Sequence, residues 1–299
     1  MNIAIIGAGK IGSAIGHALE VKPVKIHLWD VEEGKVPDQK PLATVLRNAK
    51  VVFICTPSWA MRAALQEVAP HLDHDTIIVS PGKGLEQGTG KRTDEIAAEV
   101  ARRHPFALLL GSMLSDEITT GKFGIGALAC KDKKATVAIV ELFSGTDIYL
   151  HPTTDTVGAA YAGVLKNVYA MLMGITHGLS HGDNIKGFLA ARSLTEMHFL
   201  IQRFGGHDQT CLSAAGAGDF ISTAYSPLSR NRQLGTALIE RKPYPKTAEG
   251  IIALPLLVAK LGKEVSNYPV LMAIESMIMH AANPEETITK LLQHSVKDN

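Results

Sequence analysis

The sequence predicts an α/β N-terminal half, residues 1–152, built on a mainly parallel, doubly wound sheet, followed by an all-α C-terminal half, residues 153–299. Three observations carry this reading. Short apolar runs alternate with helical patterns as far as Leu150, as strands joined by crossover helices do. After His151-Pro152 no convincing strand pattern remains and the apolar spacing becomes helical. At the start, the run Asn2–Ile6 leads through Gly7-Ala8-Gly9-Lys10-Ile11-Gly12 into a helical stretch, Ser13–Leu19. With 299 residues, 46% hydrophobic and 20% charged, the chain has the profile of a soluble globular protein with two ordinary domains.

The elements follow in order. Strand, GxGxxG and helix form the opening of a Rossmann-like, dinucleotide-binding unit. Gly7 allows the tight turn, Gly9 lets a pyrophosphate approach the backbone, and Gly12 lets helix and strand pack closely. The helix N-terminus that follows offers free N–H groups to phosphates. A second strand, Val24–Trp29, ends at Asp30, eighteen residues past Gly12. A carboxylate there accepts both ribose hydroxyls of NAD and repels the extra phosphate of NADP, so NAD is expected ahead of NADP. A solvated turn aspartate is the alternative. Val31–Pro41 is polar and short where a full dinucleotide fold needs another helix and strand. Only Leu42–Asn48 reads as a short helix, so the sheet is abbreviated here.

Val51–Cys55 reads as a strand ending in Thr56-Pro57-Ser58, with Ser58 placed to cap the helix that runs to Val68. Thr76–Ser80 ends in Pro81-Gly82-Lys83-Gly84, which puts Lys83 just past a strand end, where open α/β sheets bind ligands. A solvated loop lysine is the alternative. Lys91–Arg103 reads as a helix and Phe106–Leu110 as a strand leading into Gly111-Ser112-Met113. Gly126–Cys130 and Asp147–Leu150 are late strands around the helix Asp132–Phe143.

The chain is organised around Gly158–Gly178. Gly158, Ala162, Lys166, Ala170, Gly174 and Gly178 recur every four residues, which predicts one face almost bare of side chains apart from Lys166. A lysine set there points into a cleft as a catalytic amine whose pKa burial lowers, or is a structural lysine paired with a carboxylate. Helices Gly187–Phe204, Thr247–Leu261, Val270–Ala282 and Pro284–His294 follow. Between them, Ala214–Gly235 reads as a glycine- and serine-rich loop carrying Asp219, Thr223, Ser229, Arg230, Asn231 and Arg232. Hydroxyl and backbone donors beside a guanidinium fork suit a phosphate. Taken alone, Arg230–Arg232 reads better as a solvated basic turn.

Net charge of +1 gives no general attraction to nucleic acid or anionic membrane. No apolar run approaches the ~20 residues of a membrane span, and no basic, signal-like segment precedes the first strand. Cys55, Cys130 and Cys211 are far apart and sit in apolar surroundings, as buried thiols of a reducing compartment do, so a cytoplasmic location is expected. His177 and His181 lack an HExxH pattern or an acidic third ligand, and no metal site is expected.

Several of these stretches resemble the NAD(P)-dependent glycerol-3-phosphate dehydrogenases. Gly163-Val164-Leu165-Lys166-Asn167-Val168 is similar to the family's Ala-Leu-Lys-Asn helix. Gly218-Asp219, Thr223 and Ser229-Arg230-Asn231-Arg232 are similar to its Gly-Asp-Leu, Thr and Ser-Arg-Asn-Arg pattern, and Thr195-Glu196-Met197, Glu249-Gly250, Thr56-Pro57-Ser58 and Lys83-Gly84 also fit. The resemblance implies Lys166 as catalytic acid/base, with Lys83 and Asp219 completing the reacting centre. It implies Asn167, Thr223, Ser229, Arg230 and Asn231 as holders of a small phosphorylated substrate. Gly7, Gly9, Lys10, Ile11, Gly12, Asp30, Thr56, Pro57 and Glu249 would hold NAD. The implied reaction interconverts sn-glycerol 3-phosphate and dihydroxyacetone phosphate, in glycerol-3-phosphate metabolism and phospholipid biosynthesis, with a homodimer as the expected assembly. The sequence departs from the family at Gly111-Ser112-Met113-Leu114-Ser115-Asp116-Glu117, where the family has Gly-Pro-Ser-Phe-Ala-x-Glu, and at the shortened Val31–Pro41. The altered wall leaves two alternatives open: a reductase of another small phosphorylated or carboxylated ketone, or a non-catalytic NAD-binding regulatory protein.

Overall fold

The computed structural model describes residues 1–297. Seven strands, β1 (Asn2–Ile6), β2 (Lys25–Trp29), β3 (Ala49–Ile54), β4 (Ile77–Ser80), β5 (Phe106–Ser112), β6 (Gly124–Cys130) and β7 (Ile148–Thr153), form a sheet in the order β2-β1-β3-β4-β5-β6-β7. Neighbouring strands run parallel except β5 and β6, which are antiparallel. The strand side chains alternate between two cores, as the pleat requires. Ile3, Ile5, Val51, Phe53 and Leu109 pack with α1 (Lys10–Leu19) and with α6 (Lys133–Phe143) on one face. Ala4, Ile6, Val52, Ile54 and Ile78 pack on the other face with α2 (Leu42–Leu46), α3 (Met61–Val68) and α4 (Thr93–Val100). The one-turn α5 (Ser115–Ile118) follows β5.

β2 is the edge strand where a full dinucleotide fold carries a further strand. The Gln39 side chain answers part of that loss. Its carboxamide accepts from Asp30 N–H at 2.7 Å and donates to the Asp30 carbonyl at 2.9 Å, as a strand backbone would.

The helical half contains α7 (Thr156–Gly178), α8 (Asp183–Arg203), α9 (Asp219–Tyr225), α10 (Arg230–Ile239), α11 (Glu249–Leu261), α12 (Pro269–Met279) and α13 (Pro284–Lys297). Asp155 caps α7 by accepting from Gly158 N–H at 2.8 Å. From Thr156 to Thr176, Val157 alone escapes full burial. The core around α7 includes Leu108 and Leu110 of β5 and Ala127 and Ala129 of β6, so sheet and helices share one apolar interior. Buried Glu196, on α8, accepts from Tyr169 Oη and from the Val270 and Leu271 N–H groups, which fixes the start of α12. Among the described residues no helix is long and apolar enough to cross a membrane.

Three expectations are corrected. Ala214–Gly235 is not a loop but a π turn, Ala214–Gly218, followed by α9 and α10. Its glycines serve close packing: a Cβ at Gly216 would collide with the Cys211 carbonyl, and one at Gly235 with the Met171 carbonyl. Second, the four-residue stripe of α7 does not stay on one face. A helix turns about 100° per residue, so each step of four drifts by roughly 40°. Gly158 therefore meets Gly206 and Thr210, while Gly174 meets the Arg232 backbone on α10. Third, Ser58 does not cap α3. It lies in a single 3-10 turn, Ser58–Ala60, and its hydroxyl donates to the Glu249 carboxylate at 2.6 Å, a charge-assisted bond stronger than a neutral cap.

Two glycine substitutions should act in opposite directions. Gly235→Ala would force α10 off the α7 backbone, and a stability loss on the order of 1–3 kcal/mol is expected for such overpacking. Exposed Gly187, inside α8, has open space around it, and Gly187→Ala should gain roughly 0.5–1 kcal/mol from helix propensity. Denaturant unfolding of both variants measures this. Equal stability of Gly235→Ala and the parent would contradict the close α7–α10 seam.

Candidate active site

A cleft of about 720 Å³ runs along the C-terminal ends of β1 to β5 and under the helical half. At one end lies the glycine loop, and each glycine has a separate geometric cause. Gly7 has φ +99°, and a Cβ there would lie 2.8 Å from the Cys55 carbonyl. A Cβ at Gly12 would collide with the Gly7 carbonyl, so only glycine lets α1 sit this close to the turn. Gly9 has nothing within 4 Å of its Cβ position and lines the cleft, so its bare backbone faces open space. This is a cradle a side chain would fill, fitted to a pyrophosphate above a helix N-terminus. Thr56 and Pro57 line the cleft beside this loop, and Thr56 Oγ1 has no hydrogen-bond partner among the described residues.

Lys10 and Ile11 begin α1 at the cleft, and Lys10 Nζ reaches Asp116 at 2.7 Å. Asp30 lines the cleft at the end of β2, but its carboxylate is engaged by protein. It accepts from Ala8 N–H at 2.8 Å and Glu32 N–H at 3.0 Å, and Lys35 Nζ stands 3.2 Å away. Burial alone would raise this carboxyl's pKa, but these partners outweigh it and hold it below the usual range.

At the other end of the cleft, the residues on α7, α9 and α10 meet the loop after β4. Asp219 stands between two ammoniums. Its Oδ1 is 3.1 Å from Lys166 Nζ and its Oδ2 is 2.7 Å from Lys83 Nζ. Lys166 Nζ also donates to Thr223 Oγ1 at 2.8 Å, and Lys83 Nζ donates to the Gly111 carbonyl at 2.9 Å. Gly111 has φ +123°, a conformation that favours glycine. Buried Met113 lines the cleft beside it.

A second layer is held by amides. Asn167 Nδ2 donates to the Lys83 carbonyl at 3.0 Å, Asn231 Nδ2 donates to Asn167 Oδ1 at 2.8 Å, and Asn231 Oδ1 accepts from Gly250 N–H at 2.9 Å. Lys83, Asn167, Arg230, Asn231 and Glu249 line the cleft, with buried Lys166, Asp219 and Thr223 in the layer behind them. Arg230 is exposed at the rim and forms no salt bridge among the described residues. Ser229 does not face the cleft; its hydroxyl caps α10 by accepting from Arg232 N–H at 3.2 Å.

The electrostatics follow from burial. Lys166 is 7% exposed, and desolvation lowers its pKa to about 8, with Lys83 adding to the effect and Asp219 opposing it. For Asp219, burial would raise the carboxyl, but Lys166 and Lys83 outweigh it and hold the group below its ordinary value. Burial raises the Glu249 carboxyl, only partly offset by the Ser58 hydroxyl and N–H. The centre thus holds two amines and one firmly ionised carboxylate, suited to proton exchange at about neutral pH and to stabilising negative charge on an oxygen. Four charged cleft residues were given no role by the sequence, Glu32, Lys35, Glu67 and Asp116, and two of them, Lys35 and Asp116, pair with residues that were. Their partners, Asp30 and Lys10, are set by a turn and by a contact across 106 positions, and neither leaves a motif.

A dinucleotide cradle joined by one cleft to a buried lysine–carboxylate centre defines a nicotinamide-dependent oxidoreductase. The model of the NAD-dependent glycerol-3-phosphate dehydrogenase C-terminus matches residues 155–289, and that of the N-terminus matches residues 34–136. A glycerol-3-phosphate dehydrogenase [NAD(P)+] 2 of Sphingopyxis alaskensis is 31% identical, covering 100% of this chain and 98% of that one. A Mycobacterium avium glycerol-3-phosphate dehydrogenase [NAD(P)+] is 33% identical over 82% of this chain and 74% of its own. The crystal structure of a Coxiella burnetii glycerol-3-phosphate dehydrogenase superposes with a TM-score of 0.89 at 26% identity, covering 97% and 98% of the two chains. The chain belongs to the NAD-dependent glycerol-3-phosphate dehydrogenase family.

The glycine geometry makes a paired prediction. Gly9→Ala should leave the melting temperature nearly unchanged and weaken NADH binding, read by quenching of Trp29 and Trp59, the chain's two tryptophans, which both line the cleft. Gly12→Ala should destabilise the fold by about 1–3 kcal/mol through overpacking against Gly7. Undiminished NADH binding by Gly9→Ala would mean that the dinucleotide does not cross that backbone.

Proposed function

We propose that the chain interconverts sn-glycerol 3-phosphate and dihydroxyacetone phosphate, with residues 1–152 holding the cofactor and residues 153–299 the substrate. The observation that carries this reading is Asp219 set between Lys166 and Lys83 beside the cleft that holds the glycine cradle. The bound nicotinamide cofactor supplies or accepts the hydride. Lys166 Nζ moves the proton at the substrate's central oxygen: the neutral amine takes it from the alcohol, and the ammonium returns it in ketone reduction. A pKa of about 8 leaves both forms accessible near neutral pH. Lys83 stabilises negative charge on the same oxygen. Asp219 orients both amines and keeps Lys166 from losing its proton outright.

Asn167 and Asn231 complete the substrate wall, Thr223 steadies Lys166 Nζ from behind it, and Arg230 holds the phosphate from the cleft rim. Ser229 contributes by fixing the start of α10, which aims Arg230. Thr56, Pro57 and Glu249 border the nicotinamide end of the cofactor. We place this activity in cytoplasmic glycerol-3-phosphate metabolism, supplying phospholipid biosynthesis, a setting in keeping with three buried free thiols.

The phosphate gives the test. Charge-assisted hydrogen bonds contribute roughly 1.5–3 kcal/mol each, so two from Arg230 amount to on the order of 100-fold or more in kcat/KM. Arg230→Ala should lose that factor with dihydroxyacetone phosphate and NADH, while the small rate with unphosphorylated dihydroxyacetone stays about the same. Arg230→Lys should restore only part, because an ammonium lacks the planar fork. An equal loss with both ketones would make Arg230 structural. No preference for the phosphorylated ketone in the parent enzyme would overturn the assignment.

A further inference from the structure

Lys83 must bring its ammonium within hydrogen-bond reach of Asp219, yet it sits on a connection, residues 81–92, that contains no helix and no strand of the sheet. From α7, Asn167 Nδ2 holds the Lys83 carbonyl at 3.0 Å. The connection has a second fastening at Glu86, three residues past Lys83, and this carboxylate takes no part in the chemistry of the cleft. Glu86 is 9% exposed. Its Oε1 accepts from Arg62 Nε at 2.6 Å, and its Oε2 from Arg62 Nη2 at 2.9 Å and from Thr89 Oγ1 at 2.5 Å. Two bonds from a planar guanidinium fix direction as well as distance. The Arg62 bonds outweigh burial and hold the Glu86 carboxyl below its ordinary value.

Arg62 belongs to α3, and the turn that leads into α3 carries Ser58. A Cβ at Gly84 would collide with Ser58, so the segment that grips Glu86 also presses on the residue next to Lys83. The backbone beyond this point is closed on itself. Glu86 N–H donates to the Lys91 carbonyl and Gly90 N–H to the Glu86 carbonyl, both at 2.8 Å, and Leu85 bridges to Arg92. A loop tied internally moves as one piece, so its attachment to α3 sets where Lys83 lies.

We propose that the Arg62–Glu86 fork is a clamp that positions Lys83, holding the 81–92 connection against α3 so that the ammonium reaches Asp219 and the substrate oxygen. The inference rests on the dehydrogenase reading of the cleft. Without Arg62, Glu86 is a buried carboxylate that has lost its paired cation, and it turns toward water. The loop follows, Lys83 draws back, and Asp219 serves Lys166 alone. The groups facing Lys166 are Asp219, Lys83 and Thr223, with the charge of Glu249 beyond them. Those facing Glu86 are Arg62, Thr89 and the charge of Lys91. Withdrawal of Lys83 removes a cation that disfavours the Lys166 ammonium, so the Lys166 titration moves up from about 8.

Two measurements on the full-length protein test this: turnover of dihydroxyacetone phosphate with NADH, and the pH midpoint of Lys166 followed by NMR of lysine-labelled protein. Arg62→Met should lower kcat by on the order of 10- to 100-fold, the scale of a small misplacement of a catalytic group, with KM changed far less, and should raise the Lys166 midpoint. Arg62→Lys should restore part of both. Glu86→Gln, which keeps one arm of the fork, should act in the same direction and less strongly. A direct field would instead move the midpoint oppositely in the two variants, since one removes a cation and the other an anion. Glu99→Gln removes only the exposed second partner of Arg62 and should match the parent in kcat and midpoint. If Arg62→Met and Glu86→Gln lower the melting temperature alone, with kcat and midpoint unmoved, the fork is structural and the inference is overturned. Midpoints that move in opposite directions also overturn it, as does a Glu99→Gln protein as impaired as Arg62→Met. A parent with no turnover overturns the dehydrogenase reading and this inference with it.

Discussion

One buried carboxylate shared by two ammoniums is the constraint on which the rest of the site depends. Removing a charge from water is costly, and breaking a buried pair leaves the remaining charge uncompensated. Lys166, Lys83 and Asp219 come from α7, from the loop after β4 and from α9, so their pairing ties the sheet to the helical half. One carboxylate cannot fully compensate two amines. Lys166, the more deeply buried of the two, is held at a pKa of about 8 chiefly by desolvation, with the second ammonium adding to it. The surplus positive charge is what a reaction passing through an oxygen anion requires. Stability and chemistry therefore draw on the same three side chains.

That arrangement needs backbones to come unusually close, and glycine supplies the room. The Lys83 stem runs over Gly163 of α7, at 3.4 Å from where a Cβ would be. A Cβ at Gly84 would collide with Glu249 and Ser58, so this glycine admits their hydrogen bond. A Cβ at Gly250 would lie 2.5 Å from the Asn167 carbonyl, which the start of α11 must approach for Asn231 to bridge the two helices. The polar layer is thus bounded by positions with no side chain of their own.

Much of this was legible in the sequence because it depends on local pattern. The glycine loop, the alternation of strands and helices and the change of composition near residue 152 all write periodicities a few residues long. Lys166 stood out as a lone charge in an apolar helix, and the structure gives it the buried carboxylate partner that a structural lysine and a catalytic amine both require. What was not legible depends on tertiary contact. Ala214–Gly235 read as a loop because glycine and serine punctuate sequences, whereas Gly216 and Gly235 are small to let backbones touch. Ser58 read as a helix cap because Glu249, its partner, lies 191 positions away. The stripe on α7 read as one face because a spacing of four was followed further than a helix of 3.6 residues per turn allows. The partners of Asp30 were not legible because Ala8, Glu32 and Lys35 close on it only when the glycine loop and the shortened segment fold together.

Burial brings the Lys166 amine toward a neutral-range pKa while Asp219 holds its proton in place. Lysine-labelled protein, with the Lys166 resonance assigned by its loss in Lys166→Met, allows a direct NMR titration of that side chain. The expected midpoint is about 8, against about 10.4 for an unperturbed lysine. In Asp219→Asn the midpoint should fall further, because Asp219 favours the charged form and its loss removes that support. A Lys166 midpoint in the ordinary lysine range, or one unmoved by Asp219→Asn, would mean that burial does not tune this amine and that Asp219 does not hold its proton.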